Sequence, residues 1–314
     1  MIIPSIDQAA NELKLGNLVA IPTETVYGLA ANAFDDNAIK KIFQLKGRPL
    51  NNPLIVHIYS FEQLYEIADD VDECVLKLAQ HYWPGPLTLI LKKKKHISPL
   101  LTAAQDTIAV RIPQHPITLK LLKSLSFPLA APSANPYKRI SPTSAQHVEN
   151  YFKDLLILEG GECSKGIEST IIGFENNQPV IYRPGSITKE NIEELLLKKV
   201  LNNTIEKNTI TPGMASKHYS PQTPSILSYN IEKELGRNKE KRIGLLLFKK
   251  RNITHPNIHI EMLSENEKEE EAAKKLYQCL HYLDTLKLDL IIMEALPTKG
   301  LGESINDRLR RAAN

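Results

Sequence analysis

The chain has 314 residues, of which 42% are hydrophobic, and its 39 Lys and Arg nearly balance its 36 Asp and Glu, leaving a net charge of +3. This length favours one large domain followed by a smaller one. The balanced charge does not support a concentrated basic surface for nucleic acid. Three widely separated cysteines, Cys74, Cys163 and Cys279, follow neither a metal-binding spacing nor a disulfide framework, which indicates a reducing compartment.

The first residues do not have the pattern of a secretion signal. They contain no basic region before an apolar run, and an acidic residue, Asp7, comes early. No apolar run approaches the roughly 18 residues that a membrane span needs. The sequence therefore predicts a cytoplasmic protein that has no membrane partner.

Short apolar runs alternate with amphipathic stretches over the first 200 residues. Helices are predicted for 5–15, 36–45, 60–68, 72–83, 117–125 and 189–199. Strands are predicted for 18–22, 54–58, 86–92, 107–113, 128–132, 155–159, 169–174 and 179–184. These strands outnumber those of a strict strand-helix series. We therefore expect an α/β fold whose twisted mixed sheet is partly antiparallel and leaves an open cleft.

Residues 201–224 predict a linker, because they are rich in Asn, Thr, Ser and Pro and have no sustained period. The linker separates a first domain, 1–200, from a C-terminal domain, 225–314. In the latter, strands at 225–229, 242–248, 258–263 and 288–296 alternate with helices at 231–235, 267–286 and 301–313. Such alternation is typical of a smaller parallel-sheet α/β domain.

Two cations, Lys46 and Arg48, flank Gly47 where a predicted helix ends. A fixed pair of positive charges can hold a polyphosphate, although an isolated K-x-R more often lies on a solvated surface. The chain contains neither GxxxxGK[ST] nor GxGxxG, so a nucleotide would be held without a familiar phosphate loop.

Three separated polar loops suggest a single cleft. The first is the turn PTETVYG at 22–28, the second is PSANPYKRIS at 132–141, and the third is GGECSKGIEST at 160–170. By itself the SAN tripeptide is typical of an ordinary turn. Together the loops offer hydroxyls and amides to a polar ligand.

Two polar residues interrupt predicted apolar strands. Arg111 lies in TIAVRIP, and because buried arginines are rare unless paired, an unpaired Arg111 would await a carboxylate ligand. A structural salt bridge is the alternative. His57, in LIVHI, is either a hydrogen-bonded core residue or a ligand. No second His or Cys lies at metal spacing, so no zinc site is predicted.

The motifs together resemble the threonylcarbamoyl-AMP synthase family of the YrdC type. They are PTETVYGLA, KGRP followed by PLIVHI, PSAN with Ser141 eight residues after Ser133, GIEST and YRPG. The stretch 211–221, TPGMASKHYSP, resembles the linker of the two-domain version, and GLGESINDRLRRAAN at the end resembles its C-terminal domain. Gly173 replaces a common acidic residue, and Thr211 replaces the more usual serine.

The resemblance implies the YrdC-like fold and an enzyme, a nucleotidyltransferase that makes L-threonylcarbamoyl-adenylate from L-threonine, bicarbonate and ATP and releases pyrophosphate. The product would pass to a downstream tRNA-modifying threonylcarbamoyl transferase, for threonylcarbamoyladenosine next to the anticodon, and tRNA itself would bind weakly. Magnesium would accompany the ATP phosphates, with Glu24 as the nearest carboxylate, and the protein would have no metal site of its own.

The resemblance also implies roles for individual residues. Lys46 and Arg48 become the catalytic contacts of the phosphates. The implied ATP-binding residues are Lys46, Arg48, Asn52, Ser133, Asn135, Ser141, Arg183 and Tyr219. The implied threonine-binding residues are Thr23, Thr25, His57, Thr107, Arg111, Ala131 and Ser169. We further expect Tyr219 to fold back over the nucleotide, or alternatively only to dock the linker on the first domain.

Three other functions remain open from the sequence. One is a structural or regulatory protein without catalysis, which would not need all three polar loops. A carbamoyl-adenylate-forming domain of the hydrogenase-maturation type shares this fold, although it normally lies in a far larger chain with cysteine pairs. An RNA-binding module without adenylate chemistry is suggested by the run Lys92 to Lys95, which otherwise ends a strand in a solvated turn.

Overall fold

The computed structural model describes residues 1–69, 71–203, 217–253 and 255–313. Within these ranges, no helix has the length and apolar character needed to cross a membrane. Most of the predicted linker, from 204 to 216, lies outside the described residues, including the start of the TPGMASKHYSP motif.

The first 202 residues form a large mixed sheet of twelve strands. The strands are β1 Ile2–Ile3, β2 Val19–Ile21, β3 Gly28–Asn32, β4 Ile55–His57, β5 Ala68–Asp69, β6 Leu87–Lys93, β7 Thr107–Arg111, β8 Leu129–Ala130, β9 Leu156–Leu158, β10 Thr170–Glu175, β11 Gln178–Arg183 and β12 Leu201–Asn202. Their order is β1-β9-β2-β3-β8-β4-β7-β6-β10-β11-β12, with β5 beside β6. The pairs β4/β7 and β6/β10 are parallel, whereas β2/β3, β6/β7 and β10/β11 are antiparallel. The predicted mixed sheet is confirmed.

Eight helices pack on this sheet. They are α1 Ile6–Lys14, α2 Asp36–Lys46, α3 Phe61–Ile67, α4 Glu73–Tyr82, α5 Pro99–Thr102, α6 Pro116–Lys123, α7 Ala145–Tyr151 and α8 Lys189–Leu196. Local signals set their ends: Ser5 caps α1 by accepting from the Gln8 amide at 3.2 Å, and Gly47 ends α2 in the left-handed conformation. This ending brings Lys46 to the last turn of α2 and Arg48 just beyond it.

Among the described residues of the first domain, six elements were not predicted from the sequence: β1, β3, β5, β12, α5 and α7. β12 lies at the start of the predicted linker. No strand was predicted between the PTETVYG turn and the helix at 36–45, but Gly28–Asn32 forms β3 and pairs antiparallel with β2. Four of its five residues are buried, so burial between neighbouring strands overrides the weak strand preference of alanine. Helix α7 was also missed, although Ser144 caps it by accepting from the His147 amide.

The C-terminal domain has an all-parallel sheet of four strands, as predicted. Its strands are β13 Ser225–Ser228, β14 Ile243–Leu247, β15 Ile258–Met262 and β16 Leu290–Glu294, in the order β13-β16-β14-β15. Its helices are α9 Ile231–Arg237, α10 Glu269–Thr285 and α11 Gly300–Ala313.

The two domains share a hydrophobic cluster. Val26, Ile140 and Ile167, each from one of the three polar loops, pack in the same cluster as Tyr219 and Leu276. The contact is close, since a Cβ on Gly166 would lie 2.4 Å from the Lys274 Cα in α10. The polar loops of the first domain are thus packed against α10.

Candidate active site

The three polar loops meet around one cavity. Its lining residues are Thr23, Thr25, Val26, Gly28, Arg48, Ile55, His57, Arg111, Ala131, Pro132, Ser133, Glu168, Ser169, Arg183, His218 and Tyr219. All of them except Ser133 are buried. Because His218 and Tyr219 come from beyond the first domain, the expected open cleft is covered in this structure.

Lys46 and Arg48 form a buried pair of cations beside the cavity. The Lys46 ammonium donates to the carbonyls of Ser133 and Asn135, both at 2.5 Å, and Arg48 donates to the Asn52 side chain at 2.5 Å. Among the described residues, no carboxylate forms a salt bridge with either cation.

Burial has a marked effect on both groups. Desolvation, with the neighbouring Arg48 charge, lowers the pKa of Lys46 well below its usual value, and desolvation lowers the pKa of Arg48 to about 10. Arg183 also lines the cavity, with its guanidinium donating to the Ser169 carbonyl at 2.9 Å, and burial lowers its pKa too. Three desolvated cations make this part of the cavity suited to a polyanion.

Arg111 occupies the other part of the cavity, and its surroundings correct one hypothesis. It does not await a partner, because its Nη2 lies 2.5 Å from Glu24 Oε1 in a buried salt bridge. Its Nη1 also donates to the Thr25 hydroxyl at 3.0 Å, and its Nε donates to the Gly85 carbonyl at 3.1 Å. The salt bridge predicted as the alternative is therefore present, and Arg111 also lines the cavity.

His57 lies beside Arg111 on the adjacent strand, β4, and also lines the cavity. Burial, reinforced by the Arg111 charge, lowers the pKa of His57 to about 3, so the ring is neutral at physiological pH. Its buried Nδ1 has no hydrogen-bond partner among the described residues. A neutral ring with an unused nitrogen can bind a polar group of a ligand.

Several predicted site residues do not line the cavity but support those that do. The Asn52 side chain accepts from Arg48. The Asn135 side chain donates to the carbonyls of Pro136 and Arg139, and the Asn135 backbone carbonyl accepts from Lys46. Ser141 donates to Glu168 at 2.6 Å.

Thr107 is also outside the lining. It begins β7, four residues before Arg111, and its hydroxyl lies 3.5 Å from the Gln105 side chain. Thr23 and Ser169 do line the cavity, but their hydroxyls already have partners. The Thr23 hydroxyl lies 2.8 Å from that of Thr25, and the Ser169 hydroxyl lies 2.7 Å from that of Thr88.

The sequence-based prediction missed Glu168, a carboxylate in the cavity wall. It accepts from Ser141, from the Tyr277 hydroxyl at 2.9 Å and from Arg308 Nε at 3.1 Å. Burial alone would raise its pKa, but the Arg308 and Arg183 guanidiniums hold the pKa of Glu168 below its usual value. The signal for this residue was a charge inside the GIEST motif, although its partners in the other domain were not visible in the sequence.

The end of the linker covers the cavity. The His218 amide donates to the Arg311 carbonyl at 3.0 Å, and the Ser220 amide donates to the Lys138 carbonyl at 2.9 Å, so this segment is fixed to both domains. Between these contacts, Tyr219 adopts a left-handed backbone with φ of 60° and stacks on Tyr277 at 5.6 Å. Its buried hydroxyl has no hydrogen-bond partner among the described residues.

The described residues do not contain a cluster of three or more His, Cys, Asp or Glu that could hold a metal ion. Glu24, expected near magnesium, is engaged elsewhere: one of its oxygens accepts from Arg111 and the other from the Gln114 amide at 3.0 Å. Its assignment to magnesium stays a prediction.

Comparisons with known proteins agree with this architecture. A family model described as "Telomere recombination" matches residues 11–185, and one described as "Threonylcarbamoyl-AMP synthase, C-terminal domain" matches 187–314. The chain is 40% identical to the threonylcarbamoyl-AMP synthase of Pyrococcus abyssi, over 97% of this chain and 93% of that protein. It is 38% identical to the Bacillus subtilis enzyme of the same name, over 99% and 93% respectively.

The chain belongs to the threonylcarbamoyl-AMP synthase family. The crystal structure of Pyrococcus abyssi Sua5 complexed with L-threonine superposes with a TM-score of 0.91 and 37% identity, covering 100% of this chain and 97% of that one. The predicted family, the mixed sheet with a smaller parallel-sheet domain, and threonylcarbamoyl-adenylate synthesis as the activity are confirmed. The protein is an adenylate-forming enzyme of the nucleotidyltransferase type.

The hydrogenase-maturation alternative shares only the fold. Full-length HypF in its phosphate- and nucleotide-bound form superposes with a TM-score of 0.50 and 24% identity, covering 58% of this chain and 29% of HypF. The RNA-binding alternative has no structural support at Lys92–Lys95 either. β6 ends at Lys93, whose ammonium lies 3.3 Å from the Ile97 carbonyl, and Lys94 approaches Asp69 at 3.9 Å.

Proposed function

We propose that this protein forms L-threonylcarbamoyl-adenylate from L-threonine, bicarbonate and ATP inside the cavity between its two domains. The observation that carries the proposal is the division of charge within the cavity. Arg48 and Arg183 line one part, with Lys46 buried beside them, whereas the other part is lined by neutral His57 and by Arg111, whose charge is balanced by Glu24.

The two parts match two different ligands. ATP is a polyanion, and binding it beside desolvated cations compensates charges that the fold otherwise buries at a cost. Threonine carries one positive and one negative charge, so a pocket without net charge suits it. We assign its carboxylate to the remaining N–H groups of Arg111 and a polar group of threonine to His57 Nδ1. Thr23, Thr25, Ala131 and Ser169 form the walls of this part.

The chemistry needs positioning and charge neutralisation. The threonine amine and bicarbonate combine to a carbamate with loss of water, one carbamate oxygen attacks the α-phosphorus, and the bond to pyrophosphate breaks. Donors fixed beforehand around the phosphates lower the barrier because they need no rearrangement as charge moves to the leaving group. We assign this role to Lys46, Arg48 and Arg183. Asn135 accepts from Lys46, Asn52 accepts from Arg48, and Ser141 donates to Glu168.

Tyr219 has a separate role over the bound nucleotide. Its ring covers the cavity and its hydroxyl is unused, so it can donate to ATP while excluding water. Exclusion of water protects an adenylate from hydrolysis. Ser133 is the one lining residue that is only half-buried, and it can contact the same ligand.

Magnesium fits this site only as a companion of ATP. The one carboxylate in the lining, Glu168, is already bonded to Arg308, Tyr277 and Ser141, so the described residues offer the ion little direct ligation. An ion held by phosphates and water needs few protein ligands, and when bound it supplies further charge neutralisation.

The activated product must pass its threonylcarbamoyl group to an acceptor. We propose a threonylcarbamoyl transferase that modifies tRNA as the recipient, with tRNA itself at most a weak ligand of this chain.

The three cysteines are all free, which suits the reducing cytoplasm.

The activity can be tested on the full chain by measuring pyrophosphate release. We expect pyrophosphate and an AMP-linked product only when L-threonine and bicarbonate are both present with ATP and magnesium. Release of ADP and phosphate instead would contradict attack at the α-phosphorus. Release without threonine would contradict the two-substrate cavity.

A further inference from the structure

Glu168 places a negative charge in the wall of a cavity that should receive ATP, and a residue of the other domain neutralises it. Arg308, in α11 of the C-terminal domain, is fully buried and donates from Nε to Glu168 Oε2 at 3.1 Å. We propose that Arg308 is a positioning residue for ATP, which acts by cancelling the charge of Glu168 and by holding the cavity wall from outside.

The contacts of α11 with the YRPG loop support this role. Arg308 Nη1 donates to the Pro184 carbonyl, and the Ser304 hydroxyl donates to the Gly185 carbonyl at 2.9 Å. This loop carries Arg183, one of the cavity cations. One face of α11 therefore fixes the loop that presents a phosphate-binding charge.

The cover of the cavity depends on the same arginine. The Arg308 guanidinium lies over the Tyr219 ring at 5.6 Å from its centroid, a cation–π geometry. Tyr277 contacts both partners, since it stacks on Tyr219 and donates to Glu168 at 2.9 Å. Arg308 and Tyr277 of the C-terminal domain thus position the Glu168 carboxylate and the Tyr219 ring, although neither of them lines the cavity.

The consequence of removing Arg308 follows from the electrostatics of a buried pair. Glu168 would keep its hydrogen bonds from Ser141 and Tyr277 but lose the guanidinium that donates to it, and it would remain desolvated and close to Arg183. Its charge would offset that of Arg183 and repel the phosphates. Threonine binding should change little, because Arg111 bonds to Glu24, Thr25 and Gly85, which like His57 belong to the first domain.

The test compares Arg308→Met, Glu168→Gln combined with Arg308→Met, and Arg310→Met as the matched control. Arg310 is an exposed arginine on the same helix. We expect Arg308→Met to raise the KM for ATP about tenfold or more, with the Kd for threonine unchanged within about twofold. The double variant should recover most of the loss, because it removes the uncompensated charge. Arg310→Met should match the parent enzyme.

The pH profile separates charge compensation from a merely structural role. In Arg308→Met the pKa of Glu168 should rise, so that acidification protonates the carboxylate and lowers the KM for ATP toward that of the parent. Burial and nearby charges keep the other facing groups in one state near neutral pH: the pKa of His218 is lowered to about 3 and that of Tyr219 raised to about 12. Burial also raises the pKa of Tyr277 and lowers that of Arg183. Asp307, which lies 3.3 Å from Arg308 Nη1, also accepts from Arg311 Nε at 2.9 Å.

Three results would overturn the role of Arg308. They are an unchanged KM for ATP in Arg308→Met, equal losses for ATP and threonine, and no recovery in the double variant or at low pH. If Arg308→Met does not fold, Arg308→Lys replaces it. This variant keeps the positive charge, so its KM for ATP should stay within about threefold of the parent, and a rise above about tenfold with intact threonine binding would contradict charge compensation.

Because this role rests on the proposed placement of the phosphates beside Arg48, Arg48→Ala is measured in parallel. Loss of ATP use in Arg48→Ala but not in Arg308→Met would refute the role of Arg308 alone. No effect of either substitution on ATP would instead refute the proposed phosphate site.

Discussion

Lys46 and Arg48 are buried cations, and together they form a binding site for an anion. Both side chains donate hydrogen bonds to neutral groups, mainly backbone carbonyls, and desolvation lowers the pKa of both. A bound phosphate compensates their charge, which gives ATP an interaction that threonine cannot exploit.

Substitutions should therefore separate the two ligands. Lys46→Ala and Arg48→Ala should each weaken ATP binding by about 1.5–3 kcal/mol, the value of a hydrogen bond to a charged group, and leave threonine binding nearly unchanged. Arg111→Lys should keep the Glu24 ion pair but lose the planar fork, and so weaken threonine rather than ATP. Calorimetric titration of each variant with each ligand measures both effects.

Lys40→Ala is the matched control for these titrations, because Lys40 is an exposed cation on the same helix, α2. It should leave both affinities unchanged. Equal weakening of ATP and threonine by Lys46→Ala, Arg48→Ala and Arg111→Lys would contradict the division of the cavity.

His57 gives a prediction about pH. Because burial lowers its pKa to about 3, protonation of the ring should begin only in strong acid, and the ring should remain neutral from mildly acidic to basic pH. The KM for threonine should therefore show no inflection due to His57 near its ordinary value of about 6.5. Parallel pH profiles for the parent and His57→Asn are expected. An inflection near neutrality that disappears in the variant would show that the ring titrates there.

At the residue scale the sequence located charges but not their partners. Arg111 was recognised as unusual in an apolar strand, yet its partner Glu24 lies 87 positions earlier, in another loop. Glu168 was missed for the same reason, since Arg308 lies 140 positions away. Pairing of this kind depends on tertiary structure, so local sequence can show only that a charge needs a partner.

At the scale of elements, the loops carry the site and the helices hold the loops. The GIEST loop passes so close to α10 that a Cβ on Gly166 would lie 2.4 Å from the Lys274 Cα. Most predicted strands and helices match the structure, because their hydrophobic periodicity is local. The error at β3 arose where burial, rather than the propensity of Gly and Ala, determined the conformation.

Gly166→Ala should accordingly disturb the contact between the domains, and Gly161→Ala is its control. Both glycines have a positive φ, 76° and 74°, but no heavy atom lies within 4 Å of the Cβ position at Gly161. The left-handed backbone should cost either variant about 1–2 kcal/mol of unfolding free energy. Overpacking against α10 should cost Gly166→Ala a further 1–3 kcal/mol or so.

Chemical denaturation measures the difference between these two variants, and initial rates at several ATP concentrations measure its effect on the site. We expect a raised KM for ATP only in Gly166→Ala, because this loop carries Glu168. Indistinguishable stability and kinetics in both variants would indicate that the close approach of α10 is not important for the site.

At the scale of the whole molecule, the cavity is built by both domains and by the residues between them. The first domain supplies the cations and the threonine pocket, His218 and Tyr219 cover them, and Arg308 and Tyr277 hold the cover and the wall. The order of motifs along the chain was sufficient to predict the family and the two-domain organisation. The contacts across the domains were not predictable, because they join loops and helices with no common sequence pattern.

The central claim is that one closed cavity binds ATP at its cationic part and threonine at its charge-balanced part. A crystal structure of the full chain with L-threonine and a non-hydrolysable ATP analogue tests this claim most directly. We predict phosphate oxygens within hydrogen-bonding distance of Lys46 and Arg48, the threonine carboxylate on Arg111, and the Tyr219 ring over the nucleotide. Phosphates on Arg111, or a nucleotide bound outside the cavity, would contradict the account.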